Sequence, residues 1–245
     1  MTLRHFTLGL MLILAGCTSA PADRAEVTIP APAKSAIPLI GPVIDQRSIA
    51  RNFIAVLSAV EPVAEAQCRA SNPLTNCDFR IVVDDRPGMP PNAFQTLDAS
   101  GRPIIAFTLA LIGQLQNPDE LAFVMSHEAA HHILGHLDRQ RQNATLGAQV
   151  FGSLAGSISG GNAEQVRAAQ ELGAAVGART YSKDFELEAD ALGTRITATA
   201  GYNPLLGAEF FFRIPDPGDR FLGTHPPNAN RVAVVRAAAA RLGFY

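Results

Sequence analysis

The chain has 245 residues, of which 47% are hydrophobic and 17% are charged, and its formal net charge is -2 at pH 7. This composition predicts one globular domain with a small appendage, and the lack of a basic stripe argues against nucleic acid as a partner. Beyond the N-terminus, no stretch of the sequence approaches the roughly 20 apolar residues of a membrane-spanning helix.

The first 16 residues have the layout of a lipoprotein signal peptide. A positive start precedes the apolar run Phe6–Leu14, which is too short for a stable membrane span. The sequence Leu14-Ala-Gly-Cys17 resembles a bacterial lipobox, in which Cys17 becomes the acylated first residue and anchors the protein to a membrane. Because Thr18 and not Asp follows, the rule for lipoproteins predicts the outer membrane. The alternative is a plain signal peptide with Cys17 present by coincidence.

Residues 17–44 are rich in Pro and Ala and predict a flexible tether between the lipid and a domain that covers residues 45–245. Apart from Cys17, the chain contains only Cys68 and Cys77. In the periplasm an even pair of cysteines is a candidate disulfide, and two unpaired thiols are the alternative. A zinc-binding role for this pair is disfavoured because no second Cys/His pair lies close by.

The first predicted elements are one helix and three strands. An amphipathic helix begins after Asp45, and Pro62 is expected to kink or end it. Short β-rich runs follow, and two of them flank a hairpin turn. The three predicted strands are 79–83, 92–97 and 103–107. They predict a small antiparallel sheet.

The rest of the chain is predicted to be helical. Asn117 and Pro118 mark the start of a helix of about five turns, with acidic residues near its positive end. The Gly- and Ala-rich segment 146–178 predicts a helical hairpin, with a mobile loop as the alternative. Ser182 is expected to cap the next helix and Gly201 to close it.

Four of the six histidines fall within the eleven residues Ser126–His136. His127 and His131 are four residues apart, so on a helix they share a face and can bind one Zn²⁺. Glu128 lies beside them, where its carboxylate can take a proton from a water activated by the metal. This is the HExxH pattern, and it requires a third ligand.

Two nearby histidines are poor candidates for that ligand. In the metzincin pattern, Gly and His lie three and six residues after the second histidine, where this chain has Leu134 and Leu137. His136 is one residue early and is predicted to point away from the metal. His132 directly follows a ligand and is also predicted to face elsewhere, so both are interpreted as bystanders.

The better candidate lies 55 residues after His131, in a second helix. Glu186 and Asp190 form an ExxxD pattern and share a helical face, so Glu186 can bind zinc while Asp190 supports a ligand histidine. Glu188 lies about 200° round the helix from Glu186 and is predicted to face solvent.

The motifs HEAAH and ELEAD resemble those of the gluzincins and, within them, the M48 metallopeptidases. The resemblance runs from about Asn92 to Arg231 and includes Pro118-Asp-Glu-Leu121 and Thr224-His-Pro-Pro227. It implies an α+β, mainly helical zincin-like domain over residues 45–245 with one Zn²⁺ per chain. It also implies the residue roles: zinc ligands His127, His131 and Glu186, general base Glu128, an active-site-edge position for His225, and supporting positions behind the ligands for Asp190 and Arg231.

The resemblance further implies that an extended substrate adds to an edge strand beside the active site by main-chain hydrogen bonds. The residues predicted for this edge strand are Ile104, Ile105, Ala106 and Phe107. A place in the core is the alternative, and both can hold at once because alternate residues of a strand face opposite ways. His225 is expected to stabilise the oxyanion or to cap the metal in a resting state.

These observations predict a zinc endopeptidase on the periplasmic side of a Gram-negative envelope, lipid-anchored to the outer membrane. By resemblance alone, its substrates are misfolded or misassembled envelope proteins. A chaperone-like binding protein with an inactive site, or one latched by His225, is the main alternative. Metal storage would need more ligands than the sequence contains.

Overall fold

The computed structural model describes residues 46–220, 223 and 225–245. The predicted signal peptide, the lipidation site Cys17 and the tether lie outside the described residues. The described chain is mainly helical and carries one small sheet, so the predicted α+β class is confirmed.

The first helix, α1 (Gln46–Ser71), does not end at Pro62. It continues because its apolar face runs past the proline, and Ala64 and Cys68 are buried in the core. Cys68 and Cys77 form a disulfide with a Cα–Cα distance of 5.7 Å. This bond ties the end of α1 to the segment that leads into the sheet.

The sheet contains β1 (Arg80–Asp84), β2 (Ala93–Leu97) and β3 (Pro103–Thr108) in the order β1-β3-β2. β2 and β3 form the predicted antiparallel hairpin, whereas β1 pairs with β3 in parallel. The sheet is therefore mixed and not purely antiparallel.

The central position of β3 corrects the prediction for its residues. Ile104, Ile105, Ala106 and Phe107 were expected to form an edge strand, but β3 is hydrogen-bonded on both sides. The reason is burial, since β3 is the most apolar strand and nearly all of it is inaccessible to solvent. The edges of the sheet are β1 and β2.

The helices α2 (Leu109–Ile112) and α3 (Pro118–Ile133) follow the sheet. As predicted, Asn117 caps α3, and its side chain accepts a hydrogen bond from the backbone N–H of Glu120. α3 is the central helix of the core and packs mainly against α1 and α6. It ends because Gly135 adopts a left-handed conformation (φ 66°), which starts the chain in a new direction.

The predicted helical hairpin is present, but it begins ten residues earlier than expected. It consists of α4 (His136–Ser159) and α5 (Ala163–Arg179), joined by a turn at Gly160 and Gly161. The two helices approach so closely that a Cβ on Gly173 would lie 2.2 Å from the carbonyl oxygen of Gly147. Only glycine fits at this contact.

The remaining helical elements are α6 (Ser182–Thr199), α7 (Pro204–Gly207), a 3₁₀ helix (Ala208–Phe212) and α8 (Asn228–Ala240). Ser182 is the first residue of α6 and not its cap, and its hydroxyl donates to the backbone carbonyl of Arg179. Within the described residues, no helix is long and apolar enough to cross a membrane.

Candidate metal centre

The candidate site begins with two histidines of α3. His127 and His131 lie one helical turn apart, and their Nε2 atoms are 3.0 Å from each other. Both rings project from a helix that is mostly buried, so the core fixes their position. Glu128 is half-buried and lines the same cleft.

The helix α6 supplies the carboxylates and packs closely on α3 at Gly193. A Cβ on Gly193 would lie 3.1 Å from both the Cα and the backbone nitrogen of His127, so a side chain there would push the helices apart. Because of this contact, Glu186 and Asp190, which lie on one face of α6, reach the histidines.

The donor atoms of His127, His131 and Glu186 lie within 4.8 Å of one another. Glu186 Oε2 is 3.6 Å from His127 Nε2, and Glu186 Oε1 is 3.3 Å from His131 Nε2. Zinc bound tetrahedrally at 2.0–2.2 Å has neighbouring ligand atoms about 3.3–3.6 Å apart. Both the donor types and their spacing therefore fit a zinc ion.

Asp190 supports the first histidine from behind. Its Oδ1 lies 2.9 Å from Nδ1 of His127, which leaves Nε2 of that ring for the metal. Arg231, from α8, forms a two-pronged pair with the same carboxylate at 2.7 and 2.8 Å. The guanidinium of Arg231 also stacks over the ring of Phe211. The structure thus places Asp190 beside the candidate ligand His127 and Arg231 beside Asp190.

The electrostatics of the site favour positive charge between the ligands. Burial alone would lower the pKa of His127, but hydrogen bonds to Asp190 and Glu186 outweigh it and raise the pKa to about 10. Burial would raise the pKa of Glu186, yet hydrogen bonds with His127, His131 and His225 hold it well below its usual range. A cation at this position is therefore well accommodated.

His136 is not among the candidate zinc ligands, as predicted, but it contacts one of them and is therefore not a bystander. His136 is buried, and its Nδ1 lies 2.8 Å from Nδ1 of His131. Its Nε2 lies 3.1 Å from Glu188, and burial lowers its pKa to about 4, together with the neighbouring His131 and despite Glu188. On one continuous helix His136 would face away from His131, but the turn at Gly135 brings it back against the ligand.

His132 faces away from the site, as predicted. Its Nε2 lies 2.7 Å from the backbone carbonyl oxygen of Asn76, and its ring packs edge-on against Phe79. It holds the loop before β1 against α3.

His225 lies at the rim of the site. Its Nδ1 is 3.1 Å from Glu186 Oε2, and its side chain is 54% exposed. The ring thus reaches the carboxylate ligand from the solvent side.

The site opens into a cleft of about 800 Å³. One wall is formed by Ala93, Phe94 and Gln95 of β2 and by Asn92, which precedes the strand. The strand that flanks the site is therefore the edge strand β2, whereas the predicted Ile104–Phe107 segment does not line the cleft.

The chain is similar to a known protein family and to curated proteins, one of which is given below. A model of peptidase family M48 matches residues 54–239. The chain is also 33% identical over 130 residues to the "Putative beta-barrel assembly-enhancing protease" of Vibrio cholerae serotype O1. That match covers 50% of the chain but only 26% of the relative, so the chain is similar to about a quarter of that longer protein.

Proposed function

The chain belongs to peptidase family M48, and we propose that it is a zinc-dependent endopeptidase of the bacterial envelope. The observation that carries the proposal is the triangle of donor atoms from His127, His131 and Glu186, with Glu128 beside it in an open cleft. When bound there, zinc supplies a Lewis acid that polarises a peptide carbonyl and makes water more acidic.

The side chains of the protein perform the remaining steps. Glu128 accepts a proton from the attacking water and passes it to the leaving nitrogen of the cleaved bond. Asp190, held by Arg231, keeps the ring of His127 in the orientation that binding requires. An extended peptide adds along the free edge of β2, where main-chain hydrogen bonds align it with the site.

The test is cleavage of a permanently unfolded protein, such as reduced and carboxymethylated lactalbumin, by the purified full-length chain. Glu128→Gln is expected to lose at least about 100-fold in rate while still holding one zinc per chain. Glu171→Gln, on the exposed surface of α5, serves as the matched control and should cleave normally. Equal cleavage by wild type and Glu128→Gln would contradict the assignment.

We further propose that Cys17 carries the lipid that holds the enzyme on the periplasmic face of the outer membrane, and that misfolded or misassembled envelope proteins are its substrates. The name of the Vibrio cholerae relative, which refers to beta-barrel assembly, supports an envelope role. Membrane fractionation tests the anchor. Wild type should sediment with outer membranes, and Cys17→Ala should not.

A latched, chaperone-like binding protein is the second candidate, and the contact of His225 with Glu186 favours it. In that case unfolded protein binds but is not cut until His225 leaves the ligand. His225→Ala would then raise the cleavage rate, and Glu128→Gln would still bind the unfolded protein. A lower rate in His225→Ala would instead assign this residue to the transition state.

A further inference from the structure

We propose that His136 is a positioning residue that fixes the ring orientation and tautomer of the zinc ligand His131. The inference rests on the zinc site of the proposed function. The two histidine ligands are supported differently, because His127 contacts the carboxylate of Asp190 directly at 2.9 Å. His131 has a second imidazole in the corresponding place, and the carboxylate lies one step further away.

The hydrogen bonds that link His131, His136 and Glu188 have a required direction. If Nε2 of His131 binds the metal, its lone pair is used and the ring proton must sit on Nδ1. That proton is donated to Nδ1 of His136, 2.8 Å away, which must then accept. The proton of His136 therefore lies on Nε2 and is donated to Glu188 at 3.1 Å.

Further contacts hold the side chains of His136 and Glu188 in place. The ring of His136 is buried and stacks on Phe185, with the two planes 11° apart and the centroids 4.7 Å apart. Glu188 is paired with Arg139 at 2.6 Å, which fixes its carboxylate opposite His136. The guanidinium carbon of Arg139 also lies over the Phe185 ring, 4.3 Å from its centre.

The chemistry of zinc sites explains why such a chain matters. A ligating histidine commonly donates its second ring N–H to an acceptor, which fixes the tautomer and makes the ligand more basic. Loss of that acceptor commonly costs about 10- to 100-fold in metal affinity. In this protein the acceptor is His136, and Glu188 sets the direction of the bond.

The first test is zinc affinity of the full-length protein, measured by competition with a chromophoric chelator. His136→Phe keeps the stacking on Phe185 but removes both nitrogens, and affinity should fall by about 10- to 100-fold. His132→Phe is the matched control because His132 is a neighbouring histidine that takes no part in the hydrogen-bonded series His131–His136–Glu188. The zinc affinity of this variant should stay within about twofold of wild type. Circular dichroism checks that both variants are folded.

A second variant avoids any change in the core. Glu188→Ala removes an exposed side chain and should lower zinc affinity less than His136→Phe does. Asp184→Ala, an exposed acid in the first turn of α6, is its control and should leave the affinity unchanged.

Nitrogen-15 NMR of the zinc-loaded protein provides the readout that a merely structural role would not change. The Nδ1 proton of His131 should be visible and slow to exchange in wild type and in His132→Phe. It should be lost to exchange in His136→Phe. Wild-type zinc affinity in folded His136→Phe, or persistence of that proton, would overturn the inference and leave the proposed function intact. Failure of wild type to bind zinc would instead overturn the proposed function.

Discussion

The α3–α6 pair and the α4–α5 pair both bring two helices together through glycine, but they enclose different chemistry. In the first pair, Gly193 allows α6 to approach His127, and the space between the helices holds histidines and carboxylates. In the second pair, the backbones of Gly147 and Gly173 contact each other. The atoms nearest to a Cβ built on either glycine belong to other glycines or to Phe151, so no ionisable side chain lies at this contact.

The surfaces of the two pairs differ in the same way. The α3–α6 pair lies in the core, and most of α3 is buried. The α4–α5 pair packs mainly within itself, and residues 142–163 contain no charged side chain. Its α4 helix exposes an apolar row with four-residue spacing, made of Leu146, Val150, Leu154 and Ile158. Close helix packing by glycine thus creates a site only where the facing side chains are ligands and the surrounding core holds them still.

The largest expected effect comes from removing a ligand in the first pair. Glu186→Ala should lower zinc affinity by more than the roughly 100-fold upper range for an outer supporting residue, because a metal bond is lost outright. Chelator competition measures it. Glu171→Ala in the second pair is the control, and an equal loss there would break the comparison between the pairs.

Overpacking separates the two glycine contacts. Gly193→Leu should lower the free energy of unfolding by about 3 kcal/mol and also weaken zinc binding, because it pushes Glu186 and Asp190 away from α3. Gly173→Leu should open the hairpin to proteolysis but leave zinc affinity within about twofold of wild type. Weakened zinc binding in Gly173→Leu would show that the hairpin is coupled to the site.

The disulfide stabilises the body that contains the first pair. Replacing both Cys68 and Cys77 by Ala should lower the free energy of unfolding by about 2–3 kcal/mol, because the unfolded chain loses a short cross-linked loop. Urea denaturation measures the change. An unchanged unfolding midpoint would argue that the bond contributes nothing to the stability of the domain.

The smallest effect is expected on the exposed row of the second pair. Ile158 is 78% exposed, so Ile158→Ala should change the free energy of unfolding by no more than about 0.5 kcal/mol. The same substitution at Ile196 in α6, which is only 1% exposed, should cost about 2–5 kcal/mol. Similar costs at the two positions would mean that the row is covered in solution.

Local periodicity accounts for the part of the site that could be predicted. His127 and His131, like Glu186 and Asp190, are four residues apart within uninterrupted helices, so the sequence predicts their shared faces. His136 could not be placed in this way because Gly135 ends α3 and redirects the chain. Gly135 itself was the signal in the sequence, because helices commonly end at a glycine in the left-handed conformation.

In the sheet, too, the sequence predicted the local pairing but not the pairing between distant residues. The hairpin of β2 and β3 is local, and the turn residues between the strands predict it. The parallel pairing of β1 with β3 depends on contacts between distant residues, which no local pattern records. For this reason the sequence predicted the helical class and the hairpin but placed the free edge of the sheet on β3 instead of β2.

The most direct test of the account is the location of zinc in crystals of the protein, by anomalous diffraction at the zinc edge. We expect one zinc per chain, about 2.0–2.2 Å from Nε2 of His127, Nε2 of His131 and a carboxylate oxygen of Glu186. Zinc bound elsewhere, or a site at which another residue replaces Glu186, would contradict it.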